Sequence, residues 1–141
     1  MWKYKHSVDA DASLEAIYAL YADVPNWIRW DRGVTNVTLD GPFAVGSTGT
    51  ITPEGQDTMP YRLVEVEPNR SFADETDIPG AGIVVRFDHL LEALPGGRTR
   101  ITHGVTIFGP NAAELGPTIG PQIVSDLPEA MEALANLATT S

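Results

Sequence analysis

His6, His89 and His103, the three histidines of the 141-residue sequence, each sit in a stretch where apolar and polar residues alternate. Each shares its parity with the apolar set, so all three are expected on buried faces of β-strands. An imidazole can accept or donate a proton near neutral pH. A facing pair, His89 and His103, in an apolar pocket could enolise a ketone or protonate a leaving hydroxyl. The same residues also suit a structural role, hydrogen-bonded to each other, to Tyr4 or to backbone. Three imidazoles and a water would suit zinc, but no His-x-His or Glu-x-x-His spacing supports a metal site. The absence of cysteine excludes thiolate chemistry and disulfides. No Gly-x-Ser-x-Gly, phosphate loop or dinucleotide fingerprint occurs, so no cofactor is expected.

The elements that must position these side chains begin with the longest β pattern, Ile83 to Phe108. Ile83, Val85, Phe87, His89 and Leu91 alternate with Arg86, Asp88 and Glu92. After Pro95-Gly96-Gly97, Ile101, His103, Val105 and Ile107 alternate with Arg100, Thr102 and Thr106. This predicts a β-hairpin with one wet and one buried face. A three-residue loop closing on Leu94 and Arg98 sets the register, with His89 opposite His103, Phe87 opposite Val105 and Leu91 opposite Ile101.

Earlier in the chain, Trp2, Tyr4, His6 and Val8 make a first strand with an aromatic inner face. Ser13 caps a short helix with the stripe Ile17, Leu20 and Val24, which Pro25 stops. Asn26 to Asp31, holding Trp27 and Trp30, is long enough for a turn or two packed on the sheet. Strands are then expected at Val34–Leu39, Gly46–Ile51, Tyr61–Glu67 and Ser71–Thr76, the last two joined by Pro68-Asn69. Ile78 to Gly82 is a flexible break. Beyond Gly109-Pro110, the spacing of Ile119, Ile123, Leu127, Met131, Leu134 and Leu137 predicts an amphipathic helix over the last twenty or so residues. Pro128 should bend it near Val124 to Leu127. The expected class is α+β: a curved antiparallel sheet of about seven strands around a long C-terminal helix, with two small helices after the first strand.

Nine basic residues against 19 acidic ones give a formal charge of -10, which opposes nucleic acid and anionic membrane surfaces as partners. The length suits a single domain, 1–141. There is no signal-like N-terminus and no apolar run long enough to insert in a membrane, so a cytoplasmic monomer or homodimer is the expectation.

This order of elements resembles the helix-grip superfamily, as do Trp27-Ile-Arg-Trp30, Val64-Glu-Val-Glu-Pro68, Phe87-Asp-His-Leu-Leu-Glu92 and Gly109-Pro110. That superfamily comprises the START-like or SRPBCC proteins, and the chain looks most similar to its polyketide cyclase/dehydrase and lipid transport type. The resemblance implies a hydrophobic or aromatic ligand held between sheet and long helix. The residues expected to line such a cavity are Phe87, Leu91, Val105 and Ile107 from the hairpin and Ile123, Leu127 and Met131 from the helix, with Trp30 at its mouth. Arg62 shares a face with Val64 and could reach inward to an anionic head group. Binding of such a ligand is the leading expectation. A cyclase or dehydratase using His89 and His103 as acid and base is the alternative, and an interaction domain with a filled core is a third.

Overall fold

The computed structural model describes every residue except Arg32, Pro79 and Ser141, and of Thr140 the backbone only. In chain order the elements are β1 (Trp2–Ala10), α1 (Leu14–Ala22), a 3-10 helix (Val24–Arg29), β2 (Val34–Val37), β3 (Thr48–Pro53), β4 (Met59–Glu67), β5 (Ser71–Ile78), β6 (Ile83–Leu94), β7 (Arg98–Phe108), α2 (Ala112–Val124) and α3 (Leu127–Thr140). The strands form one sheet in the order β1-β7-β6-β5-β4-β3-β2, every neighbour antiparallel. It curls around the C-terminal helices as the helix-grip fold requires.

The β6–β7 hairpin has the expected register: Leu94 pairs with Arg98, Leu91 with Ile101, His89 with His103 and Phe87 with Val105. Pro95–Gly97 forms the turn, and Gly96 and Gly97 both take positive φ, of 80° and 75°. Glycine reaches that region without the Cβ clash that other residues meet.

Ser13 caps α1 as its sequence suggests, its Oγ accepting the Ala16 N–H at 3.1 Å. Thr99 on β7 donates to the Ala12 carbonyl at 2.7 Å, which fastens the start of α1 to the sheet. Several strands run longer than their patterns indicate, β4 starting at Met59 and β5 continuing to Ile78. In the break before β6, Pro79 lies outside the described residues.

Two expectations are corrected. The helical region begins at Ala112 rather than covering only the last twenty or so residues, because Pro117 and Pro121 sit on its exposed side and are tolerated within α2. The expected bend is a full break at Ser125 and Asp126, one residue before Leu127-Pro128. The second correction concerns β4. Its pairing with β5 shifts between Leu63 and Glu65, so Val64 is the extra residue of a β-bulge. The bulge reverses the alternation. Tyr61 and Leu63 face inward before it and Val66 after it, whereas Arg62 turns to the outer face and pairs with Glu75 at 2.9 Å and Asp77 at 3.0 Å.

The interior consists of two apolar clusters. One gathers Ile17, Tyr21, Trp27, Trp30, Leu63, Phe72, Leu91, Ile101, Met131 and Leu134 under α1, the 3-10 helix and α3. The other gathers Val85, Val105, Ile107 and Val124 under α2, with Trp2, Tyr4, Phe87 and Ile123 packed against it. Trp2 lies flat along α2, where a Cβ added at Gly120 would fall 2.5 Å from its indole and one at Gly116 2.6 Å from its Cβ. Gly120→Ala should therefore destabilise the protein by about 1–3 kcal/mol despite the better helix propensity of alanine. In a Trp2→Leu background the same change should become neutral or stabilising. Denaturant melts of the four proteins in the cycle measure this, and additive effects would mean that the close contact does not govern the cost.

Candidate functional site

The register carries four side chains into one row across four strands: His6 pairs with His103, His103 with His89, and His89 with Phe72. This row lies on the inner face, beneath α1 and the 3-10 helix. His89 donates from Nδ1 to the Phe72 carbonyl at 3.1 Å and stacks on the Phe72 ring at 3.8 Å between centroids. The His89 and His103 rings meet edge to face at 4.6 Å. The third partner comes from α1: Tyr21, fully buried, places its hydroxyl 2.7 Å from His103 Nε2. His6 remains half-buried at the end of the row.

Burial governs the protonation of this group. Desolvation holds His89 down at about 3, opposed by its bond to the Phe72 carbonyl. It holds His103 well below the usual imidazole range, with the neighbouring His89 and His6 adding to the effect. Both rings are thus neutral at pH 7. Desolvation also keeps the Tyr21 hydroxyl protonated far above its ordinary range. At neutral pH the histidines can accept protons but have none to release as imidazolium, and Tyr21 is the proton donor of the group.

Around the row stands a wall of rings. Trp27 lies 5.5 Å from Phe72 and 6.1 Å from Tyr61, and Trp30 lies 6.1 Å from both Tyr21 and His103. Some polar tips of this wall are satisfied, Trp27 Nε1 by the Tyr21 carbonyl at 2.8 Å and the Tyr61 hydroxyl by the Thr38 carbonyl at 2.6 Å. Two are not: Trp30 Nε1 and the Tyr18 hydroxyl are buried without a hydrogen-bond partner among the described residues. Asp74 is the third polar outlier. It faces inward from β5 between Leu63 and Phe87, is 7% exposed, and has no hydrogen bond or ion pair among the described residues. Burial pushes its carboxyl up to about 8, with the charge of Asp31 adding to the shift.

The residues that the sequence singles out fall into several places. Trp30 and Leu91 belong to the cluster under α1 and α3 along with Met131, while Phe87, Val105, Ile107 and Ile123 belong to the cluster under α2. Leu127 touches both. Arg62 is on the outer face, and Val64 is the half-buried bulge residue. The side chains between sheet and helices pack against one another. Two shallow depressions open to solvent lie elsewhere, one of about 210 Å³ lined by Glu54, Asp126, Glu129 and Ala130 and one of about 410 Å³ along Gly55–Met59. Among the described residues no three of His, Asp or Glu are arranged to hold a metal ion, and no helix is long and apolar enough to cross a membrane. Sequence reasoning missed Tyr21, which reads as a packing residue of α1, and Asp74, which sits in the polar run Ala73-Asp-Glu-Thr-Asp77.

A family model described as polyketide cyclase / dehydrase and lipid transport matches residues 1–139. No curated protein matches. Among solved structures, Ara h 8.0201 superposes with a TM-score of 0.77 at 12% identity, over 99% of this chain and 98% of that one. Norcoclaurine synthase from Thalictrum flavum gives 0.71 at 15%, over 99% and 87%. The di-domain ARO/CYC BexL from the BE-7585A biosynthetic pathway gives 0.76 at 16%, over 96% of this chain and 46% of that one. These likenesses show the fold.

The buried groups predict opposing pH effects. For His89 and His103 the folded-state pKa lies below the unfolded one of about 6.5, so their contribution is full above that pH and is lost as pH falls, for His89 toward about 3. For Asp74 the folded-state pKa is raised, so its stabilising effect is full below about 3.9 and is lost as pH rises toward about 8. Each slope reaches at most about 1.4 kcal/mol per pH unit. Asp74→Asn should therefore stabilise the protein increasingly between pH 4 and 8, and chemical denaturation across this range measures it. An Asn variant less stable than the parent at pH 8 would contradict the assignment.

Proposed function

The chain belongs to the polyketide cyclase/dehydrase and lipid transport family, and on that premise we propose that it binds a small hydrophobic or aromatic molecule between the inner face of the sheet and the C-terminal helices. The observation that carries this reading is a set of inward polar groups without a partner among the described residues: Trp30 Nε1–H and the Tyr18 hydroxyl, both buried, and beside them the carboxyl of Asp74, a residue only 7% exposed. Folded proteins pair nearly all such groups, and each one left alone costs on the order of 1–3 kcal/mol. A mostly apolar ligand with a few polar atoms satisfies them while its body packs on Trp30, Phe87, Leu91, Val105, Ile107, Ile123, Leu127 and Met131. Its insertion parts the packed side chains between the two clusters, beside the break at Ser125 and Asp126. The charge of -10 disfavours capture of anions, and with Arg62 engaged on the outer face no role in head-group binding is assigned to it.

The hydrogen bond between Tyr21 and His103 favours a second reading, that the same site cyclises or dehydrates a polyketone. In this scheme neutral His103 takes the proton from a carbon beside a ketone, and the Tyr21 hydroxyl donates to the enolate oxygen or to the departing hydroxyl. His89, its Nδ1–H committed to Phe72, presents Nε2 as a further acceptor. The names of BexL, an ARO/CYC, and of norcoclaurine synthase, a synthase, agree with catalysis on this fold without specifying it here.

Native mass spectrometry of freshly purified protein should reveal a retained small molecule, or, after its removal, an apolar fluorescent dye should bind saturably and be weakened at least severalfold by Leu127→Asp. Protein that retains nothing and leaves the dye unbound would sink the binding reading. If turnover of a polyketone is found, His103→Gln and Tyr21→Phe should each lower its rate about a hundredfold. Unchanged rates in folded variants would remove both residues from the chemistry.

A further inference from the structure

We propose that the molecule taken by this inner face carries a protonated amine on an aromatic or apolar body, with the amine seated at Asp74. This rests on the ligand-binding reading above and adds the charge that the ligand bears. The first ground is placement. Asp74 stands on the inner face between Leu63 and Phe87, is more than nine-tenths buried, and lacks any hydrogen bond or ion pair among the described residues. The fold has already buried this carboxyl without a partner, so an arriving ammonium ion gains a buried, charge-assisted hydrogen bond that offsets its own desolvation and the loss of the carboxyl's proton. The apolar and aromatic neighbours, Phe87 among them, suit the body of the ligand and offer a ring face to its charge.

The second ground is the distribution of charge among the described residues. Among the described residues every lysine and arginine points away from this face. Lys3 and Lys5 alternate outward on β1, and Arg29 and Arg70 are exposed. Arg62 and Arg86 share Glu75 on the outer face, and Arg98 and Arg100 pair with Asp11 and Asp9. Carboxylates gather instead where the loop after the 3-10 helix meets the helix break: a Cβ on Gly33 would stand 3.3 Å from Asp126 Oδ2 and 3.8 Å from Asp31 Oδ1. Glu54 and Glu129 line the depression beside Asp126.

Protonation supports the assignment. With its carboxyl pushed up to about 8, Asp74 in the empty site keeps its proton near pH 7, and the charges around it account for the value. Asp31 raises it from the covering loop, Asp88 and Glu75 raise it through the sheet, and Arg86 lowers it. The remaining titratable neighbours are Tyr61, whose hydroxyl senses the charge of Asp74 and of Asp40, and Asp126, which acts on Asp31. An ammonium ion replaces the proton, so binding should release about one proton per amine near pH 7.

The test uses three probes of one shape, 1-naphthylmethylamine, 1-naphthylmethanol and 1-naphthoate, titrated calorimetrically in two buffers of different ionisation enthalpy, at physiological and at high salt. The amine should bind at least tenfold more tightly than the alcohol and release about one proton, the naphthoate should bind most weakly, and the preference should survive added salt, as a buried pair does. Asp74→Asn should abolish the amine preference and the proton release. Asp31→Asn, in the half-buried loop after the 3-10 helix, should reduce the preference and serves if the first variant fails to fold. Equal binding of amine and alcohol, or a preference untouched by either variant or erased by salt, would overturn the charge assignment alone. No binding of any probe would overturn the binding reading with it.

Discussion

The register of β6 on β7 is the constraint on which the site depends. Side chains alternate with a period of two, so a slip of one residue would turn the inward set of one of the two strands, either His89 and Phe87 or His103 and Val105, to solvent. The Pro95–Gly97 turn prevents this by closing the ladder on Leu94 and Arg98 with two left-handed glycines. The outer strands inherit that choice: β1 docks with His6 on His103, and β5 with Phe72 on His89. One turn thus determines a row of four side chains drawn from residues 6 to 103. Tyr21 can then complete the row from outside the sheet, because Ser13 and Thr99 set where α1 begins.

Once the row is formed, its surroundings divide the charges of the chain by sign. The outer face holds Arg62, Arg86, Arg98 and Arg100, each beside a carboxylate, in largely exposed pairs that contribute little individually to stability. The inner face holds groups kept neutral by desolvation, imidazoles below their usual range and carboxyls above it. The two kinds of buried group resist opposite ends of the pH scale: the imidazoles lose their contribution as pH falls and Asp74 loses its own as pH rises. A fold that only needed stability would have little use for either, since apolar residues of the same volume avoid both losses. Their presence on the one face that the helices cover is what the proposed binding of a partner with polar atoms accounts for.

Much of this was legible in the sequence because it is local or periodic. Alternation gave the hairpin, its length and its inward set; Ser13 gave the helix start, and Pro128 the region of the break. What could not be read has equally specific causes. The bulge at Val64 leaves no mark in a run of alternating residues, yet it turns Arg62 from the face of the ligand to the outside. Tyr21 lies in a helical apolar stripe indistinguishable from packing, and its partner is 82 positions away. Asp74 falls in an acidic, polar run whose inward member is fixed only by pairing with β4 and β6. Gly116 and Gly120 look like helix weaknesses until Trp2 is seen lying against them.

The helix break joins these features. α2 is fastened to the sheet through Trp2 and the cluster around Val105 and Ile107, whereas α3 is fastened through Met131 and Leu134 to the aromatic cluster beneath it. Leu127, the first residue of α3, packs against both clusters and is itself half-buried. A continuous helix would couple the clusters rigidly, because lifting one turn would drag its neighbours. Two segments separated at Ser125 and Asp126 can part at Leu127 with each cluster intact, so the seam between them is the line along which the interior opens at least cost. Asp126 stands at that seam, against the same backbone that carries Asp31. The seam therefore sets a carboxylate of the helix break beside one of the covering loop, next to the residue that touches both clusters.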